Sequence, residues 1–263
     1  MRAVALESDV IVFVSDVWQT TCTAVRDGDE GFVIDSPVYP EELRALPDVL
    51  TQAGFPVSGL LATHGDWDHL LGRLAFPGAA LGCADSTARR LAAEPGAAQR
   101  ELRSFDAEHY VERPVPLALG TLQRLPVPGK LELGPSHELE LYESDGHTAD
   151  GTAYWIPWLR VLVCGDYLSP VEIPMLSQGG SLAAYVETLD LLRPLIELAA
   201  WVIPGHGGPL TPDRALEIWT EDQAYLRRLS SDPSRTELPK SRASKAQQSI
   251  HGMNVARTTD GPS

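Results

Sequence analysis

Four apolar runs in this chain each end on a histidine or aspartate that sits beside a glycine. The first, "VSGLLATHGDWDH", delivers His64, Asp66, Asp68 and His69 in quick succession. The second, "HELELYESDGHTADG", delivers His147. The third, "RVLVCGDYL", delivers Asp166, and the fourth, "AWVIPGHGGPL", delivers His206. Short apolar runs bounded by turn residues read as strands. Strand ends open into loops, and loops held by a rigid sheet are where functional side chains converge. One dense motif and three single sites, each with a flanking glycine, are hard to attribute to loop composition.

Further runs fill in the architecture. "DVIVFV", "TCTAV" and "GFVIDS" predict strands, with "DGDEG" as a hairpin turn. "PEELRALPDVLTQAG" predicts a helix that Pro47 should disturb. "DSTARRLAAEPG" predicts a helix capped by Asp85 or Ser86. Residues 97–110 predict another helix, and the proline-rich residues 111–130 an irregular connection. In the second half "HELELYES", "TAYWIPW" and "RVLVCGD" are strands and "SLAAYVETLDLLRPLIELA" a helix. "AWVIPGHG" is a strand entering a glycine-rich loop. "TPDRALEIWTEDQAYLRRLS" is the last helix, with Thr211 as its N-cap and Pro212 at its first position. Strands then helix in each half suggest sheets packed together and covered by helices. From Ser231 onward Ser, Pro, Lys, Arg and Gln dominate. Residues 231–263 are therefore expected to form a disordered tail behind a domain over residues 1–230.

Composition narrows the function. A hydrophobic content of 43% supports a substantial core, and a net charge of −15 argues against nucleic acid as a partner. Cys22, Cys83 and Cys164 are too scattered for a disulfide framework and read as core residues. No run approaches the roughly 20 apolar residues of a spanning helix. The expectation is a soluble, cytoplasmic protein with a small-molecule substrate and no membrane partner.

The residue types fit a metal. A zinc-type ion takes imidazole and carboxylate donors near 2 Å, about four per ion, with one position open in catalytic sites. The spacing of His64 and Asp66 lets one extended turn aim both at one ion, and Asp68 and His69 can face a second. Taken singly, His147 reads as a hydrogen-bonded loop residue and Asp166 as a turn residue. The cluster changes that reading.

The pattern resembles the metallo-β-lactamase superfamily over about residues 8–225. "HGDWDH" is similar to its HxHxDH motif, "GHTADGTAY" to its GHTPGS segment, "CGD" to its TGD segment, and "PGHG" to its last motif. The resemblance implies an α+β fold, a four-layer αββα sandwich with the site at one edge. It implies that His64, Asp66 and His147 hold one divalent ion and Asp68, His69 and His206 another, with Asp166 between them. Zinc is the expected metal, with iron or manganese as alternatives. Activity would be metal-dependent hydrolysis of a small ester, thioester or lactone, with water acidified from pKa 15.7 to about 7. Asp68 is the candidate catalytic residue, since it or Asp166 can accept the proton.

Asp66 departs from the family pattern, which has histidine there. It can ligate through oxygen, orient a ligand histidine from outside, or mark a weak first site. A carboxylate makes the site harder and favours iron or manganese relative to an all-imidazole site. Flavodiiron members carry an acidic residue at this place, with iron. Two other functions stay open on that ground: an iron-dependent redox enzyme, and a non-catalytic binding protein. The "YLSPVEIP" segment lacks the lysine with which many family β-lactamases hold the substrate carboxylate. Tyr167 can donate to an oxyanion or simply pack. Trp67, Tyr154 and Trp155 read as core before pocket. His109, His137 and His251 lack a supporting motif.

Overall fold

A computed structural model describes residues 1–259. Two sheets lie in the middle. The first holds β1 (Arg2–Glu7), β2 (Val10–Val14), β3 (Thr21–Asp27), β4 (Glu30–Asp35), β5 (Gly59–Leu61), β6 (Leu81–Ala84) and β7 (Leu122–Leu125), in that order. From β1 to β4 neighbours are antiparallel; from β4 to β7 they are parallel. Helices α1 (Pro40–Gln52), α2 (Gly72–Ala75), α3 (Asp85–Ala93) and α4 (Ala97–His109) fall between the parallel strands. The second sheet holds β8 (Gly129–Leu133), β9 (His137–Glu143), β10 (Thr152–Ile156), β11 (Val161–Val163) and β12 (Trp201–Ile203), in the order β12-β11-β10-β9-β8. Its helices are α5 (Leu182–Leu198), α6 (Pro212–Ser231) and α7 (Lys245–Thr259).

The strand β2 shows how layers arise from sequence. All five residues of "VIVFV" are buried, and alternate side chains go to opposite faces. Val10, Val12 and Val14 enter a core between the sheets with Ile34, Leu141 and Val163. Ile11 and Phe13 enter a core under the helices with Leu46, Leu60 and Phe105. A third core joins Leu162 and Val202 to Leu189 and Ile218, on the outer face of the second sheet. Three cores separate four layers, so the fold is an α+β, αββα sandwich. The cysteines are all free and buried in these cores.

Several elements differ from the sequence expectation. Strand β1 is an additional edge strand; only Val4 and Leu6 are even partly buried, so it lacks an apolar run. Residues 111–130 contain β7, which pairs with β6 although only Leu125 of its residues is buried. The cap of α3 is Ala84, without a side-chain bond. Helix α1 runs through Pro47 because Leu43, Leu46 and Leu50 stay buried on one face.

The largest correction is at the C-terminus. Residues 245–259 form α7, and Arg242, Gln247 and Asn254 are buried. The expected disorder does not hold for 231–259, because buried polar side chains anchor this segment while Leu238, Ile250 and Val255 pack on the outer core. Residues 260–263 lie outside the described residues. No helix among the described residues is long and apolar enough to cross a membrane.

Candidate metal centre

The four runs end at one edge of the sandwich. His64 follows β5, and Asp66 precedes a one-turn 3-10 helix, Trp67–His69, that carries Asp68 and His69. His147 lies between β9 and β10, Asp166 follows β11, and His206 follows β12. Cross-sheet bonds fix this edge: Thr21 Oγ1 donates to the Pro204 carbonyl (2.6 Å) and Tyr154 Oη to the Ala62 carbonyl (2.8 Å). A Cβ at Gly205 would overlap Asp166 Oδ1, so glycine there lets the carboxylate sit against the backbone.

All seven sequence-derived candidates meet. They form three overlapping groups: His64, Asp66 and His147; His64, His69 and Asp166; Asp68, His69 and His206. Asp66 Oδ2 stands 3.4 Å from His147 Nε2 and 3.6 Å from His64 Nε2. Asp166 Oδ2 stands 3.2 Å from His147 Nε2, 3.4 Å from His206 Nε2 and 3.7 Å from His64 Nε2. Its Oδ1 is 3.2 Å from His69 Nε2. Asp68 Oδ2 is 3.6 Å from both His69 Nε2 and His206 Nε2. Donors bonded tetrahedrally at 2.0–2.1 Å stand about 3.3–3.4 Å apart, and these separations bracket that spacing.

His64, His147 and His206 turn Nε2 inward with Nδ1 hydrogen-bonded outside, and His69 does so with Nδ1 beside Asp35. His147 Nδ1 bonds the Met175 carbonyl (2.8 Å). His64 Nδ1 meets Thr63 Oγ1 (3.0 Å), whose hydroxyl donates to Asp35 Oδ2 (2.9 Å). With its proton committed there, Thr63 accepts from His64, which leaves Nε2 with a free lone pair. His69 Nδ1 lies 3.0 Å from the same Asp35 oxygen. His206 Nδ1 lies 3.3 Å from both Thr20 Oγ1 and the Trp18 carbonyl. Nε2 of His64, His69 and His147, together with Asp166 Oδ1, is buried without a hydrogen-bond partner. Orphaned donors and acceptors are costly inside a protein, and these converge on common points, so the residues fit a metal.

The geometry at Asp66 is specific. One carboxylate oxygen faces the histidines; the other accepts from Arg90 Nη2 (2.6 Å). Arg90 Nη1 donates to Asp150 Oδ1 (2.8 Å), and Asp150 Oδ2 accepts from the Gly65 amide (2.9 Å). The aspartate that replaces a histidine is thus held by an arginine that also braces the motif's own backbone.

Electrostatics favour added positive charge. Burial draws the His206 imidazole down, but Asp166, Glu172 and Asp68 outweigh it and push it up to about 10. Burial likewise opposes, and the nearby carboxylates reverse, the rise at His69 and His147. Burial works against ionisation of Asp66 and Asp166 too, yet the surrounding imidazoles hold both well below the usual carboxylate range. Three converging carboxylates seek cations, either protons or metal ions.

A family model described as the metallo-beta-lactamase superfamily matches residues 15–206. The chain belongs to the metallo-beta-lactamase superfamily. Solved structures share its fold. A metallo-beta-lactamase family protein from Thermus thermophilus is 21% identical, with a TM-score of 0.66 over 88% of this chain and 84% of that one. A metallo-beta-lactamase from Pontibacter korlensis is 18% identical, with a TM-score of 0.58 over 83% and 98%. The inverting sec-alkylsulfatase Pisa1 from a Pseudomonas species is 13% identical, with a TM-score of 0.71 over 88% of this chain but 42% of its own.

In this superfamily member the centre opens into a cavity of about 1280 Å³. Trp18, Trp67 and Phe105 form an aromatic wall with ring centroids 4.9–5.7 Å apart, and His109 stacks on Phe105 at 4.4 Å. Tyr154 and Trp155 are core residues. Tyr167 packs on Tyr185, and its hydroxyl donates to the Asp145 carbonyl (2.7 Å) while accepting from the His147 amide (3.0 Å). That hydroxyl is spent on the loop and is not aimed at substrate. His137 pairs with Asp27 and His251 with Tyr225, away from the cavity lining. Sequence reading missed Asp35, Arg90 and Asp150. Asp35 ends the strand "GFVID" as the candidate ligands end theirs, a signal that was present. Arg90 carried none, since its role exists only across the fold.

Proposed function

We propose that this protein is a metal-dependent hydrolase of a small, uncharged ester, thioester or lactone, using two divalent ions, with zinc the first candidate. The convergence of buried, partnerless Nε2 and Oδ1 atoms is the observation that carries this reading. His64, His147 and Asp66 through Oδ2 would hold one ion; Asp68, His69 and His206 would hold the other; Asp166 would serve both. Such ions, when bound, acidify water and polarise a carbonyl oxygen. The superfamily is mostly hydrolytic, which supports the reaction class.

The chain's own residues supply the rest. Asp68 lines the cavity 3.6 Å from Nε2 of both His69 and His206, and is the candidate proton acceptor. The Trp18–Trp67–Phe105 wall offers an apolar group an aromatic surface of tilted rings and excludes water beside the centre. Charge then selects among substrates. Glu94, Glu101, Glu108 and Glu172 line the cavity. Of its two arginines, Arg90 is paired with Asp66 and Asp150, and Arg100 donates to the Pro95 carbonyl (3.1 Å), which leaves carboxylates in excess. An anionic substrate, such as a β-lactam carboxylate or a sulfate ester, meets carboxylates there.

The test is turnover by zinc-loaded protein on a panel of neutral esters, thioesters and lactones. Asp68→Ala should lose about 100-fold or more in kcat while keeping the far-UV circular dichroism of the parent. Unchanged turnover in Asp68→Ala would remove Asp68 from the mechanism. Turnover that needs iron and oxygen would replace hydrolysis with redox chemistry, toward which the extra oxygen donor at Asp66 leans.

A further inference from the structure

The loop from Ser169 to Ser177 belongs to no helix or strand, yet it orients a candidate ligand. Its Met175 carbonyl receives His147 Nδ1, and its Ser177 amide donates back to the His147 carbonyl (2.8 Å). A segment without a sheet or helix ladder must find other partners for its backbone. Three side chains from the C-terminal segment supply them. Arg242 Nη1 donates to the Ser169 and Glu172 carbonyls (3.2 and 2.8 Å), its charge matched by Glu221 at 3.0 Å and Asp222 at 2.7 Å. Gln247 Oε1 accepts from the Ile173 amide (2.7 Å). Asn254 Oδ1 accepts from the Leu176 amide (2.9 Å), and its Nδ2 donates to the Pro174 carbonyl (2.6 Å) and to Tyr225 Oη (3.1 Å). Asn254 is completely buried and grips the residues on either side of Met175. A carbonyl and an amide as partners leave its amide only one orientation.

We infer that α7 is a working part of the metal centre and that Asn254 is a positioning residue, aiming His147 Nε2 through the Met175 carbonyl. A hydrogen bond from the outer ring nitrogen sets the tautomer and orientation of a ligand imidazole, and its loss weakens metal affinity 10–100-fold. Here that bond is only as well placed as Met175, and Met175 is placed by Asn254. Helix α7 also contributes Gln247 and Ile250 to the cavity lining, so one support serves both the ligand and the substrate surface. The helix lies beyond residues 15–206, the part matched by the family model.

The inference rests on the metal-centre reading, and the experiment separates the two. Zinc binding to the full chain is titrated by calorimetry against a competing chelator, and the cobalt-substituted visible spectrum reports coordination. Wild type, Asn254→Ala and Thr258→Ala are compared. Thr258 bonds only carbonyls of its own helix and serves as the control. Asn254→Ala should lose affinity about tenfold or more at one ion, with an altered cobalt spectrum, while the second ion binds as in wild type. Thr258→Ala should match wild type. Equal affinities in wild type and Asn254→Ala overturn the inference alone. An equal loss at both ions makes α7 a general prop of the fold and also overturns it. A wild type that takes up no metal overturns the metal-centre reading itself. Should Asn254→Ala fail to fold, Gln247→Ala, which frees only the Ile173 amide, carries the same test with the same selective loss expected.

Discussion

Asp66 and Arg90 answer each other across the fold. A carboxylate in place of an imidazole adds a negative charge, and an arginine that bridges Asp66 and Asp150, one bond to each, offsets it and leaves one Asp66 oxygen facing inward. Arg90→Ala should therefore weaken metal binding about 10–100-fold, read by chelator competition. Arg90→Lys should restore little, because a single ammonium cannot span Asp66 and Asp150. Metal affinity equal to wild type in Arg90→Ala would show that Asp66 holds its place unaided. His206 carries a second prediction. Its folded value of about 10 lies above its ordinary 6.5, so the metal-free protein binds its proton more tightly folded than unfolded. The resulting stability is present in full below pH 6.5 and is lost as pH rises through 10. Thermal melts in chelator should fall over that window, and metal, by displacing the proton, should flatten the slope and release protons on binding. A metal-free melting temperature that stays level from pH 7 to 10 would contradict the charge assignment. All seven candidate ligands were legible as residues, because they fall in four short motifs, each at the end of an apolar run and each holding a glycine. Arg90 and Asp150 carry no such signal, because the fold alone brings their partners together, whereas Asp35 ends its strand as the candidate ligands end theirs.

Elements were legible where burial is apolar. Helices α5 and α6 follow their caps, Ser181 and Thr211, each of which accepts from a backbone amide three residues on. Strands β2, β5 and β11 are uniformly buried and read directly from their runs. Strands β1 and β7 were not legible. Each sits at an end of the first sheet, held by backbone pairing, and neither has a continuous apolar face. Helix α7 is the sharpest case. Composition reads "SKAQQSIHGMNVARTT" as too polar to order, since little apolar area offsets the entropy of fixing the chain. The anchors are a buried arginine, a glutamine and an asparagine, each spent on loop backbone. Hydrophobic periodicity counts such residues as solvent-facing, so it fails wherever a polar side chain serves as a structural bolt.

At the scale of the molecule, charge is the property that links sequence to substrate. The chain carries −15, and the cavity adds four glutamates to the three aspartates of the centre. Bound divalent ions attract an anion at short range, whereas the surrounding carboxylates repel it on approach. Those two effects respond differently to salt. The approach term extends about a Debye length, roughly 30 Å at 0.01 M and 8 Å at 0.15 M ionic strength. Between an ester with a neutral acyl group and the same ester bearing a remote carboxylate, kcat/KM should favour the neutral one at low salt. Raising ionic strength should lift the rate for the anionic ester and leave the neutral one level, narrowing the gap, because long-range steering acts on association. A rate for the anionic ester that falls with salt would mean that the ions, not the glutamates, set the field at the cavity mouth. The substrate would then be an anion, and the uncharged ester, thioester or lactone would be the wrong class.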